Sequence, residues 1–528
     1  MTDNSPLLVE KLWRLKRMVA KGECPGMEFV HLNNLLRDPD YRDSVLRRVS
    51  EQGSETLQQL VFEIREQDRG EILMASGSPE NNPKARRAHR AGQEEGSKKS
   101  FLQKLGWLLP LGIIAGSFMM YSFAAPEQKI VRVVDNLNSD TRWESNTTYI
   151  LEGEIFVENA RLTIEPGTTV KGKFDSALIV TQTGQLFARG RPGNPIIFTS
   201  NRPEGRRARG DWGGVVLLGE APVNRENPII EGVAADEPRG AFGGQDPEHS
   251  CGVVEYVRIE FAGYEVFRNN ELNGLTLGGC GDTTIVRNVQ VHRALDDGIE
   301  MFGGSVNLKN ILVTGAGDDG IDWDMGWTGN VQFALIQQHP DVGDHAFEGD
   351  NNKQDPHAQP RSEPHFYNVT LVSTGQSAVR HRGMVLRTGT GGHFHNMVID
   401  SYGVELVDTR GPVSSVIEDG QLNFSHSLIA ATPIFEEKGQ DDNDFGFDEK
   451  SWLYTTDHNN IIQTQTAMGV RSRDPLNPDF RTKVPLVDLK GTKPPSDEFF
   501  DQSADYKGAL NPKAQEQWFT GWSAFPEQ

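Results

Sequence analysis

Along the second half of the chain, apolar and polar residues alternate in short runs, and the runs repeat. Arg287-Asn-Val-Gln-Val-His-Arg-Ala-Leu-Asp-Asp-Gly-Ile-Glu-Met-Phe302 returns 22 positions later as Lys309-Asn-Ile-Leu-Val-Thr-Gly-Ala-Gly-Asp-Asp-Gly-Ile-Asp-Trp-Asp324. The copies are in register: Asn288 falls on Asn310, Val291 on Val313, Asp297 on Asp319 and Glu300 on Asp322. A looser third copy has Phe333 and Leu335 in the strand and Gly343-Asp-His345 in the turn. Val289-x-Val291 and Ile311-x-Val313 have the period of a strand and are too short for an amphipathic helix. Asp-Asp-Gly reads as a turn in which the glycine can take positive φ. A repeat of this length without a helical segment predicts a mainly β fold, a right-handed parallel β-helix whose coils lie about 4.8 Å apart.

Short alternating strands from Tyr149 onward read as the first coils, so residues 126–435 are assigned to the solenoid. The asparagine that opens the repeat returns as Asn368 and Asn396, which predicts a ladder of stacked amides. Residues 436–528, rich in Asp, Pro and aromatics, are expected to form an irregular cap over the C-terminal end, where strand edges would otherwise be unpaired.

The N-terminal pattern is different. Leu8, Leu12, Leu15 and Val19, then Ser54 with Leu57, Leu60, Val61 and Ile64, have helical spacing, so residues 1–75 predict a small all-α domain. Arg14, Lys16 and Arg17 read as a solvated basic face of its first helix. Residues 76–104 form a basic linker too polar to order itself. Residues 105–125 are apolar and long enough to cross a bilayer as a single helix. Lys84, Arg86, Arg87, Arg90, Lys98, Lys99 and Lys104 precede this segment, which by the positive-inside rule leaves the N-terminus in the cytoplasm. The expectation is a bacterial inner-membrane protein with its β-helix in the periplasm or outside the cell. A cleaved signal ending at Ser122-Phe-Ala124 is the competing expectation.

Charge sharpens this division. Residues 1–104 carry 18 Lys and Arg against 16 Asp and Glu, and the remaining residues carry 35 against 58. So acidic a second part excludes nucleic acid as a partner and leaves cations or neutral and basic surfaces. Of three cysteines, Cys251 and Cys280 fall at equivalent places on adjacent coils, where a disulfide would form in an oxidising compartment.

Asp211-Trp-Gly-Gly-Val-Val-Leu-Leu-Gly-Glu-Ala-Pro-Val-Asn224, Gly252-Val-Val-Glu-Tyr-Val-Arg-Ile-Glu-Phe-Ala-Gly263, Leu272-Asn-Gly-Leu-Thr-Leu-Gly-Gly279, Asp505-Tyr-Lys-Gly-Ala-Leu510 and Trp518-Phe-Thr-Gly-Trp522 together resemble a group of bacterial exported surface proteins. These are right-handed parallel β-helix proteins, often lipoproteins, largely without assigned activity. The resemblance covers residues 127–528 and implies a fold and a place, not a reaction. No cysteine directly follows the apolar segment, so a helix is expected where the lipoproteins of that group carry a lipid.

Stacked coils set like charges about 5 Å apart, Asp297 over Asp319 and Glu300 over Asp322. Such a pair repels by about 3 to 4 kcal/mol at an effective dielectric of 20. Three answers stay open. The aspartates serve the turns and splay into water; Asp297, Asp319, Asp322, Asp324 and Asp344 hold Ca²⁺ through hard oxygen ligands; or Asp297, Glu300, Asp319 and Asp322 share protons and catalyse. Trp323 and Trp327, with Phe347, are a candidate sugar-stacking platform. His393 and His395, at i and i+2 of one strand, with His381 from the preceding coil, are a candidate zinc or copper site. The resulting expectation is a non-catalytic envelope module that binds a glycan, an envelope protein or Ca²⁺. The alternative is a polysaccharide hydrolase or lyase. A cleft with spaced carboxylates and aromatics at its rim would favour the enzyme.

Overall fold

The computed structural model describes residues 6–76, apart from 21, 26, 28–29, 31–34 and 36–38, and residues 129–528, apart from 235, 268–269, 374–380, 401, 403–405, 431–445, 464–468 and 484–487. The linker from residue 77 and the expected membrane segment, 105–125, lie outside the described residues. Among the described residues no helix is long and apolar enough to cross a membrane.

Helices Pro6–Ala20, Pro39–Gln52 and Glu55–Ser76 pack around Leu12, Leu15, Val49, Leu57 and Ile64. Ser54 caps the third of them by accepting from the Leu57 amide at 3.2 Å, and its hydroxyl donates to Glu23 at 2.6 Å. Cys24 is buried and unbridged.

The rest is a parallel solenoid of three faces. Long strands Gly252–Glu260, Ile285–His292, Asn307–Thr314, Asn330–Gln337 and His365–Val372 stack in parallel and in register. Each turns a corner at one residue with positive φ, namely Tyr256, Asn288, Asn310, Phe333 and Asn368, at 50°, 53°, 58°, 64° and 58°. The two halves of each strand thereby form the first and second faces. Asparagine enters the left-handed region more readily than most residues, so the recurring Asn marks a corner and not the opening of a strand. The amide ladder exists in part: Asn310 donates to Asn288 at 3.0 Å and Gln332 to Asn368 at 3.1 Å. Asn368 and Asn396 donate instead to carbonyls of the C-terminal tail.

The third face is a nine-stranded parallel sheet that includes Leu275–Gly278, Ile299–Phe302, Ile321–Asp324, His345–Gly349 and Arg382–Leu386. Its turns differ from the sequence expectation. Gly298 and Gly320 are absent from the positive-φ glycines. They are glycine because a Cβ would stand 2.3 Å from Val313 and 2.5 Å from Ile336 respectively. Inside, Val257, Val289, Ile311, Ala334 and Val369 form one apolar stack, and Trp323, Phe347, Phe366 and Phe394 fill the wide middle coils. Cys251 and Cys280 are bridged, with Cα atoms 5.7 Å apart.

Strand Ile461–Gln463 pairs with Leu428–Ala430, so the coil runs past residue 435. The end is closed by helix Glu449–Leu453, whose Trp452 and Leu453 join the main core. The remaining tail does not cap that end. It runs back along the second face, where outward-pointing Leu312, Leu335 and Val372 pack against Phe480, Leu510, Phe519 and Trp522. Three consecutive apolar residues, Ile311-Leu-Val313, need cover on both sides of the sheet, and the tail supplies the outer side.

Candidate functional site

Side chains alternate across a strand, so Glu300, Asp322 and Glu348 stand on the outer side of the third face, one above another. One turn away runs a second ladder. Asn273 Oδ1 accepts from the Asp297 amide at 3.2 Å, Asp297 Oδ1 from the Asp319 amide at 2.8 Å, and Asp319 Oδ1 from the His345 amide at 2.7 Å. The turn-forming role of Asp297 and Asp319 is therefore real, but it uses one oxygen of each.

The insertion 219–250 folds over the earlier coils of this face through Ile230, Val233 and Phe242. On the other flank a loop is tied to that insertion by Asn224, which donates to Asn351 Oδ1 at 2.8 Å and whose carbonyl accepts from Asn352 at 2.9 Å. Between them the acids are buried: Asp297, Glu300, Asp319 and Asp322 are all under a tenth exposed.

Cations pair with the carboxylates around these four. Arg387 forks onto Asp350 at 2.8 to 3.1 Å and also grips Glu348. Lys353 lies 3.6 Å from Asp350. Asp319 has a hydrogen bond instead, between its carboxylate and His345 Nδ1 at 3.0 Å. Arg382 reaches Asp344 at 3.4 Å. The N-terminal domain supplies one more. Arg17, expected on a solvated face, pairs with Asp318, lies 3.5 Å from Asp344 and donates to the Gly317 carbonyl at 3.1 Å, while Leu295 joins the apolar cluster of the helices.

Asp297, Glu300 and Asp322 have no such partner among the described residues. Their carboxylate oxygens lie within 4.8 Å of one another. Burial first, then Asp296, Asp319 and Asp322, push the Asp297 carboxyl well above the ordinary range. Burial, then Glu231 and Asp322, do the same to Glu300, and a hydrogen bond to the Glu231 carboxyl adds to it. Burial, then Asp350 and Asp319, raise Asp322. Asn273 donates to Glu300 at 2.6 Å. Asp322 Oδ1 is buried without a hydrogen-bond partner. The trio can therefore hold protons or a hard cation. Asp319, His345 and Glu348 form a second group of close ligand atoms, and Asp296, Asp297 and Asp318 a third.

The other expected residues are placed differently. Asp324 accepts from the Met325 amide at 2.6 Å and, like Asp344, belongs to none of the three groups. Trp323 and Trp327 are fully buried inside the coil, with their indole N–H groups on Thr390 and the Val306 carbonyl. They are core, because the strand alternation that turns Asp322 outward turns Trp323 inward, and neither can stack on a sugar. The three histidines do not converge. His381 is buried between Ser373 and the Val342 carbonyl, His393 pairs with Glu363 at 2.9 Å, and His395 with Ser425 at 2.8 Å. The sequence reading missed His345, Glu348, Glu231 and Arg387. His345 and Glu348 were within reach of the register, since Glu348 follows Asp322 after 26 residues where the repeat is 22.

No curated protein and no solved structure matches the chain. Residues 135–471 match the family described as the pectate-lyase-like beta helix domain. That match spans the stacked coils from residue 135, just after the first strand, past the strand at Ile461, and the chain belongs to this β-helix family.

Proposed function

We propose that this protein is a polysaccharide-associated binding module in which Asp297, Glu300 and Asp322 hold a divalent cation, calcium being the best chemical fit. One observation carries the reading. Among the described residues no ion pair reaches Asp297, Glu300 or Asp322, an oxygen of each lies within 4.8 Å of the others, and Asp322 Oδ1 is buried without a hydrogen-bond partner, Lys353 and Arg387 acting on Asp322 only at longer range. Two ionised carboxylates at that distance repel by about 3.5 kcal/mol at an effective dielectric of 20. A hard divalent cation removes the repulsion with the oxygen ligands it prefers. Family membership supports the polysaccharide side of the proposal, as fold analogy. Retention of the protein on an acidic and a neutral polysaccharide, in calcium and in chelator, tests it. Retention that calcium promotes in the wild type and not in Asp322→Asn is the expected result, and equal retention in all four conditions defeats it.

The hydrolase or lyase reading keeps one observation in its favour, the raised carboxyls, which suit a general acid. Against it stand the inward Trp323, Trp327 and Phe347, which leave this patch without its expected stacking platform. Release of unsaturated or reducing ends from the same polysaccharides would decide for catalysis.

The proposal also places the coils outside the cytoplasm. The Cys251–Cys280 bridge suits an oxidising compartment, and the uncharged stretch 105–125 with its basic N-terminal flank suits an anchor. This has a sharp consequence. A chain crossing a membrane at 105–125 separates Arg17 from Asp318, so the anchored topology and the Arg17 contact exclude one another. Protease accessibility of residues 6–76 in sealed membrane vesicles distinguishes them: protection from the outer side supports the anchor, and cleavage refutes it.

A further inference from the structure

A second site lies where the tail crosses the second face. A cavity of about 530 Å³ opens between Thr370 of the coil and tail residues that lie within 471–483 and 489–514. Its lining includes Arg471, Arg481, Lys483 and Lys507 and no Asp or Glu. This is an unusual concentration in a chain of formal net charge −21. The basic side chains differ in their engagement. Arg481 is neutralised by Asp479, with N–O distances of 2.6 and 2.8 Å. Arg471 and Lys483 stand exposed at the rim, and neither has an ion pair among the described residues.

Lys507 is the built part of the site. It is only 5% exposed, and its ammonium donates to the carbonyls of Lys490 at 2.6 Å and Asp488 at 3.3 Å. An ammonium has three donors, so these two carbonyls leave one over. No carboxylate lies within ion-pair distance of it among the described residues, so the ammonium is held at the wall by two carbonyls, with the Asp488 carboxylate acting on it at longer range. Phe480 and Leu489, both buried, add apolar surface to the same cavity.

We propose that this cavity binds a small organic anion, a molecule with an apolar or sugar-like body and one phosphate, sulfate or carboxylate group. The oxyanion meets Lys507, Arg471 and Lys483, and the body lies on Phe480 and Leu489. Charge-assisted hydrogen bonds from several donors to one oxyanion are the strong kind, and a partly enclosed site screens them less than open water does. The site is separate from the acidic trio, which belongs to the third face, and it needs the opposite charge in its ligand.

Isothermal titration of the full chain at fixed ionic strength, with inorganic phosphate, glucose 6-phosphate, glucuronate and glucose as probes, tests this. Saturable binding of at least one anionic sugar, weakened about tenfold or more in Arg471→Ala/Lys483→Ala and absent for glucose, is expected. Both substituted residues are exposed, so the variant keeps its fold. The tighter of glucose 6-phosphate and glucuronate identifies the oxyanion, and inorganic phosphate binding as tightly as either would show that the body contributes nothing and overturn that half of the proposal. No saturable binding of any anion up to about 10 mM, or equal affinity in the double variant, overturns the whole.

Discussion

Replacing a buried aspartate usually destabilises a protein, but Asp322→Asn should do the opposite at alkaline pH. In the wild type at pH 8 without divalent cations, the Asp297, Glu300 and Asp322 group has two ways to exist. It ionises fully, at a cost of about 3.5 kcal/mol or more for each pair, whose oxygens lie within 4.8 Å of one another, or it keeps a proton that a free carboxyl would have lost, at about 1.4 kcal/mol per pH unit of raised pKa. Either way the folded state is penalised relative to the unfolded chain. The three folded-state values are raised, so the associated stability is complete below the ordinary carboxyl range near pH 4 and is lost as pH rises through the folded values. Asparagine keeps the shape of Asp322, removes one charge and adds a donor for its neighbours. The expected outcome is a gain of about 2 to 3 kcal/mol over the wild type at pH 8 in chelator, shrinking toward zero at pH 5. Urea unfolding of both proteins at the two pH values measures it. The difference between them is the readout, because Asp211 and Asp350, pushed up to about 6 by burial, add their own slope to both. A variant less stable than the wild type at pH 8, or a difference that does not change with pH, refutes the argument.

Arg387→Ala leaves Glu348 and Asp350 buried without their guanidinium and should cost about 3 to 5 kcal/mol, read as a lower urea midpoint. Trp323→Ala leaves a void among Phe347, Phe366 and Phe394 inside the coil, and a loss of about 3 to 5 kcal/mol in the same assay is expected. Cys251→Ser/Cys280→Ser opens a loop with a sequence separation of 29 and should cost about 3 to 4 kcal/mol, an effect that dithiothreitol reproduces in the wild type and not in the variant. On the acid side, burial holds His292 and His395 down at about 3, so their contribution is present above pH 6.5 and lost as pH falls below it. The wild type in chelator should therefore have its stability maximum on the acid side of neutrality, and a maximum above pH 8 would contradict both this and the acidic-trio argument.

The fold was legible where the repeat is strict. Between residues 287 and 324 the strands and the stacking of Glu300 on Asp322 follow from the register alone. What was lost depended on contacts between distant parts of the chain. The inward face of Trp323 follows from the same alternation that turns Asp322 outward, yet tryptophan beside acids also suits a sugar platform, and only the packed coil decides between them. The glycines at 298 and 320 answer to side chains of the next coil, which no local turn rule contains. The tail lacks periodicity because it is held by separate contacts, to Gln290, Gln332, Asn368 and Asn396 and to the apolar residues Leu312, Leu335 and Val372. Nothing in residues 1–20 singles out Arg17 from its basic neighbours, since its partners lie some 300 positions away.

The most direct measurement is calcium binding by titration calorimetry at pH 7.5, on the wild type and on Asp322→Asn and Glu300→Gln. Saturable binding in the wild type that weakens by about tenfold or more in each variant, with protons released as the metal displaces them from the raised carboxyls, is the predicted result. Calcium bound equally well by all three proteins, or by none, would contradict the assignment of a cation to Asp297, Glu300 and Asp322.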